Sequence, residues 1–201
     1  MRPEIKSRPF AMGKIETKDL SLLGYSVAGE ETAIVCPELN VCFDIGRCPR
    51  EALPVDNVLL SHVHTDHSAG ILYYFAQRDF QAIENGRVFM PNRNVKAFHE
   101  LMHAWGKFEG HVPPFQAVGV APDQDIELRR GLIARTFNTP HCPGSVGYSV
   151  IEVRKKLRDE FIGLPGPELV KLKEKGVEIS RRVEIPLIAF TGDTTDRKSV
   201  V

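Results

Sequence analysis

The chain has 201 residues, 42% of them hydrophobic and 26% charged, which suits one domain with a sizeable core. Its 26 basic residues balance its 26 acidic ones, so a globally basic nucleic-acid binder is excluded and any polyanion has to be met by local patches. No stretch approaches the roughly 18 to 20 uninterrupted apolar residues of a membrane helix, and the first residues lack the apolar core of a signal peptide. A soluble, cytoplasmic chain without a membrane partner is expected, with an organellar site left open.

Residues 1–19 are mixed in charge, contain proline and carry few large apolar side chains, so a loosely ordered arm is expected up to Leu20. Apolar, β-prone runs at 32–35 and 41–43 flank Pro37-Glu38-Leu39-Asn40 and predict a hairpin, ended by Asp44-Ile45-Gly46. The cysteines in this region, Cys36, Cys42 and Cys48, together with Cys142, form no C-x-x-C pair and are too sparse for a disulfide scaffold; reduced, mostly buried thiols are expected. A short strand at 58–60 leads into a His-rich loop and then a helix over 69–82. Another strand at 88–90 stops at Pro91, and Asn94 is expected to cap a helix through Phe108 with Val95, Phe98, Met102 and Trp105 on one stripe.

Strand text returns at 115–120, 126–128, 132–137 and 146–153. Residues 154–182 differ in composition, with nine basic against five acidic residues around the rigid turn Gly163-Leu164-Pro165-Gly166-Pro167, and read on their own as a solvated helical insertion. Pro186 then opens the apolar run 187–190, which leads into Thr191-Gly192-Asp193-Thr194-Thr195. Interleaved strands and helices give an α/β or α+β class in a single domain spanning 1–201.

The strongest chemical signal is Ser61-His62-Val63-His64-Thr65-Asp66-His67, an H-x-H-x-D-H cluster leaving a hydrophobic strand. Imidazole nitrogens and carboxylate oxygens are zinc ligands, and this one loop supplies more of them than one tetrahedral ion can use, so two adjacent metals are the natural solution. His141 and Asp193 each follow a further β-like run, and separate strand ends can converge on one edge. A competing motif, His99-Glu100-Leu101-Met102-His103, is a literal H-E-x-x-H on a predicted helix, as a zinc protease requires. The apolar stripe explains that helix as packing, and His99 and His103 are read as helix-surface or packing residues.

The ordered set of ligand-type residues resembles the metallo-β-lactamase superfamily. Phe43-Asp44-Ile45-Gly46-Arg47-Cys48-Pro49, Thr191-Gly192-Asp193-Thr194-Thr195 and the Gly-Leu-Pro-Gly-Pro insertion resemble short-form ribonuclease Z, the tRNA 3′-end processing endonuclease, over about residues 20–195. The resemblance implies an αβ/βα sandwich with a dizinc site on one edge, assembled as a homodimer and acting on precursor tRNA. It implies that His62, His64 and His141 hold one zinc, that Asp66 and His67 hold the other, and that Asp193 bridges them. It also makes Asp66 the catalytic group that orients or deprotonates the attacking water. Two ions about 3.5 to 4 Å apart can share a hydroxide and stabilise both oxygens of an in-line phosphodiester displacement. Residues 154–182 become, on the same resemblance, a protruding arm that grips tRNA, with Gly163, Pro165, Gly166, Pro167, Lys171 and Lys173 as its substrate-binding residues.

The pattern of that family continues past the Gly-Asp-Thr strand to a further zinc-binding histidine and a general-acid histidine. Here all seven histidines lie at or before His141, so a weakly held second metal, a fragment of a longer protein and reduced activity are expected. Two other functions compete: a small-molecule ester, thioester or lactam hydrolase of the same superfamily, and a non-catalytic tRNA-binding subunit.

Overall fold

The computed structural model describes residues 12–195. Eleven strands and four α-helices are present among them: β1 (Gly13–Glu16), β2 (Ser21–Val27), β3 (Glu31–Cys36), β4 (Val41–Phe43), β5 (Asn57–Leu59), α1 (Thr65–Ser68), α2 (Ile71–Phe80), β6 (Arg87–Pro91), α3 (Val95–Glu109), β7 (Gln116–Val120), β8 (Asp125–Arg129), β9 (Leu132–Asn138), β10 (Val146–Leu157), α4 (Gly166–Glu174) and β11 (Ser180–Phe190). The first seven strands form one sheet in sequential order, antiparallel from β1 to β4 and parallel from β4 to β7. The last four form a second, antiparallel sheet in the order β11-β10-β9-β8.

Strands buried on both faces read as unbroken apolar runs, and alternation along them sorts two cores. Cys42, Val58, Val88 and Met90 face α2 and α3, where they meet Tyr74, Phe75, Phe98 and Met102. Phe43, Leu59 and Phe89 face the other way, onto Leu132, Ala134, Tyr148 and Val150 of the second sheet. The α/β class is therefore as expected, built as helices on a sheet on a sheet. Among the described residues no buried core cluster lies on the outer face of the second sheet, so the fourth layer of an αβ/βα sandwich is not formed by them.

Several elements differ from the sequence expectation. Residues 13–16, expected in a loose arm, form β1 against β2, while residues 1–11 lie outside the described part. Asn94 occupies the N-cap of α3 without a side-chain capping bond. Trp105 is 40% exposed, because Gly106 takes the inward position of that turn and packs against Val112, leaving the indole to bond Glu109 Oε2 at 2.9 Å. The insertion is helical only at its centre: β10 and β11 run on into it as a two-stranded ribbon to the Leu157 and Ser180 pair, with α4 beyond. The four cysteines are free, and burial pushes the thiols of Cys36, Cys42 and Cys48 up, to about 11 at Cys36 and about 12 at Cys48.

Candidate metal centre

Three strand ends meet at one edge of the two-sheet sandwich. From β5 the chain passes through Ser61 and His62, both almost fully buried, to His64 at the N-cap of the short helix α1, which carries Asp66 and His67. The turn after β9 brings His141, and the turn after β11 brings Asp193. Contacts across the sandwich hold these turns together. Val146 donates its N–H to Ser61 O at 2.9 Å, the buried Tyr148 hydroxyl donates to Leu60 O at 2.8 Å, and Thr195 donates its N–H to Pro140 O at 3.0 Å. Phe190 stacks on Phe43 with ring centroids 5.1 Å apart, which seats the end of β11 over the end of β4.

The imidazoles of His62, His64, His67 and His141 form one cluster. His62 Nε2 and His64 Nδ1 are 3.0 Å apart, and His141 Nε2 is 3.3 Å from the same His64 nitrogen. Two ligands on a tetrahedral ion with bonds of about 2.0 to 2.1 Å stand about 3.3 Å apart, so this donor set fits a metal ion. Two overlapping groups, His62 with His64 and His141, and His62 with His67 and Asp193, each have their ligand atoms within 4.8 Å of one another. Asp193 of the second group also faces the first, its Oδ1 3.6 Å from His67 Nε2 and its Oδ2 3.8 Å from His141 Nε2. Asp66 is in neither group: its Oδ2 sits 3.5 Å from His67 Nε2 and accepts the Gly29 N–H at 3.1 Å.

Burial, then the neighbouring histidines, pull His62 down to about 4, so its ring is neutral and free to ligate at neutral pH. Burial also opposes a charge on His67, yet the hydrogen bond to Asp44 and the Asp44, Asp193 and Asp66 carboxylates outweigh it and raise that pKa. Sequence reasoning read Asp44 as a strand stop and quoted it within the Phe43–Pro49 motif, but gave it no part in the site. Its fully buried carboxylate accepts from His67 Nδ1 at 2.7 Å, from the Ser61 N–H at 2.7 Å and from the Ser61 hydroxyl at 2.8 Å. It therefore aims His67 Nε2 into the cluster, as carboxylates do behind metal-bound histidines. Its backbone adopts a left-handed φ of 50°, and the Ile45 and Gly46 N–H groups then grip His67 O at 2.9 and 3.1 Å. The sequence signal that could have found it is an Asp directly after a buried strand, upstream of the histidine loop.

The other predicted residues lie elsewhere. Gly163 and Pro165 lie in the turn into α4, Gly166 and Pro167 open that helix, and Lys171 and Lys173 are exposed on it, on elements that supply no ligand. His99 and His103 are exposed on α3 with their rings against Phe115, and neither belongs to a metal-capable group among the described residues.

This arrangement is that of an α/β sandwich whose strand ends carry a donor set able to hold a metal ion. The chain is 36% identical over 184 residues to the chloroplastic tRNase Z TRZ2 of Arabidopsis thaliana, covering 90% of this chain and 51% of that protein. It is 34% identical to a nuclear ribonuclease Z of Triticum aestivum over 86% of this chain and 98% of that one. The chain belongs to the ribonuclease Z family. It spans 51% and 61% of the lengths of the two Arabidopsis relatives it matches. Among solved structures it is similar to human tRNase Z, short form, with a TM-score of 0.46 and 14% identity, covering 71% of this chain and 63% of that one. No protein-family model matches it. No helix among the described residues is long and apolar enough to cross a membrane.

Proposed function

We propose that this chain is a zinc-dependent endoribonuclease that removes the 3′ trailer from precursor tRNA. The observation that carries the reading is the convergence of His62, His64, His67, His141, Asp66 and Asp193 at one sandwich edge in a chain of the ribonuclease Z family. His62, His64 and His141 would hold one zinc, His67 and Asp66 the second, with Asp193 between. The ions would supply Lewis-acid stabilisation of a phosphodiester and a water of lowered pKa. Asp66, whose Oδ2 accepts the Gly29 N–H, would orient the attacking water and take its proton. Asp44 would keep His67 in the tautomer that offers Nε2, and Asp193, with one oxygen toward His67 and the other toward His141, would serve both.

The substrate reading draws on the ribbon. In it Lys155 stands opposite Arg182 and Lys156 opposite Arg181, like charges that repel across a sheet and that a phosphate backbone would relieve. Arg181 and Arg182 are partly neutralised by Asp159, Asp125 and Glu184, which leaves Lys155, Lys156 and the α4 lysines, Lys171 and Lys173 among them, to meet tRNA as the arm of a homodimeric enzyme. The test is cleavage of a 3′-extended precursor tRNA by the zinc-loaded chain, with chelator and His64→Ala as controls and a small ester as the competing substrate. Cutting at the end of the acceptor stem that needs both metal and His64 supports the reading. Ester turnover without RNA cleavage refutes it, as does RNA binding without any metal-dependent cut.

A further inference from the structure

A cavity of about 550 Å³ opens beside the metal centre, lined by Gly29, Glu30, Arg47, His64, Thr65 and Asp66. Two of these, His64 and Asp66, are assigned to the centre under the function proposed above. Arg47 is the one cation among the described lining residues, and its side chain is 55% exposed. Its main chain is held in place by buried groups. The Arg47 N–H bonds the carboxylate of the almost fully buried Glu31 at 2.8 Å, and the same Glu31 oxygen accepts the Tyr25 hydroxyl at 2.9 Å. Gly46 before it has a φ of 49°, and a Cβ there would strike the Glu31 side chain. Through the Gly46 N–H bond to His67 O, Arg47 is built into the frame that positions a ligand histidine.

The guanidinium itself is loosely engaged: its Nε is 3.6 Å from Glu31 Oε2, and one terminal nitrogen is 3.4 Å from Glu30 O. These are long, weak contacts on a group whose planar fork suits bidentate binding of phosphate. The remaining charges facing the cavity are the carboxylates of Asp66, already engaged with Gly29 and adjacent to His67, and Glu30, which is exposed at the rim.

We propose that Arg47 binds a backbone phosphate of the RNA next to the one that occupies the metal centre, setting which nucleotide enters. This rests on the endonuclease reading above. Arg47 thereby acts as a substrate-positioning residue on the Asp66 side of the centre, separate from the distant ribbon and α4.

The probe is a 3′-extended acceptor minihelix whose scissile phosphodiester is an uncleavable methylphosphonate, bound to the zinc-loaded chain across a salt series. Arg47→Ala is expected to flatten the dependence of log K on log salt by about 0.7 to 0.9, one phosphate contact. Arg47→Lys keeps that slope while losing affinity, and Glu30→Gln raises affinity. A second methylphosphonate at the neighbouring phosphate weakens the wild type but not Arg47→Ala, while equal melting temperatures show that the fold is intact. Wild-type binding with an unchanged slope and affinity in Arg47→Ala overturns this inference alone. Failure of the wild type to bind the minihelix overturns it together with the endonuclease reading.

Discussion

Replacing Tyr148 with Phe removes one oxygen from the interface between the sheets and leaves Leu60 O without its donor. Both groups are buried, Tyr148 at 0% and Leu60 at 1% exposure, and their bond is 2.8 Å. A buried carbonyl stripped of its partner costs about 1 to 3 kcal/mol, which for a domain of this size lowers the melting temperature by roughly 2 to 4 °C per kcal/mol. The loss falls at the end of β5, two residues before His62, so the Ser61–His62 turn should also loosen and metal affinity should drop. Val150→Ala serves as the comparison: it lies on the same strand, is 0% exposed in the same inter-sheet core, and should cost about 2 kcal/mol through lost burial and a cavity. Thermal melts would report both stability losses, and competition with a chromophoric chelator would report zinc affinity. The expected result is comparable destabilisation in the two variants with weakened zinc binding only in Tyr148→Phe. Equal zinc affinities in the two would refute the idea that the hydroxyl transmits sheet packing to the ligand turn.

Asp44→Asn keeps a side chain that tolerates left-handed backbone but removes the charge behind His67, and zinc affinity measured by chelator competition should fall about 10- to 100-fold. Gly192→Ala forces a Cβ to within 2.5 Å of Ser61 at a φ of 60°, so thermal melts should show a loss of more than about 1 kcal/mol, together with reduced zinc content. His99→Ala with His103→Ala should leave zinc stoichiometry by elemental analysis unchanged. In the chelated chain, His62 is held from 6.5 down to about 4, so its contribution to stability is present above pH 6.5 and is lost as pH falls through 4, at about 1.36 kcal/mol per unit, or roughly 3 kcal/mol in all. His67, whose pKa is raised, contributes in the opposite sense, so the measurement is the difference between wild-type and His62→Gln urea curves from pH 7.5 to 4.5; parallel curves would contradict the assignment.

The candidate ligands were legible because four of the six side chains sit in the single loop 62–67, whose residue types share one chemistry. His141 and Asp193, each unremarkable alone, became readable through their order behind it. Asp44 was quoted in the Phe43–Pro49 motif without a role, since that role is a hydrogen bond to a residue 23 positions away. The strands on both sides of the buried apolar runs were legible from β3 to β9. β1 and β2 escaped because Ser21, Gly24 and Ser26 dilute a half-exposed edge pair, and edge strands need less apolar text. The continuation of β10 and β11 into charged sequence escaped because a solvated two-stranded ribbon has polar residues on both faces and so lacks the alternation that marks a half-buried strand. Arg47 was quoted within a motif, but its facing the metal-side cavity depends on the left-handed turn at Gly46 and the buried Glu31 beneath it.

The turn at Asp44 imposes two requirements that usually fall on different residues. Its backbone conformation is comfortable for glycine, asparagine and aspartate alone among common choices, while His67 and Ser61 ask for an acceptor-only anion. Aspartate is the sole member common to both sets, since glutamate bears the charge but not the torsion. A single codon position is thus screened twice, once by shape and once by ionisation. Libraries randomised there and selected for metal binding should return aspartate.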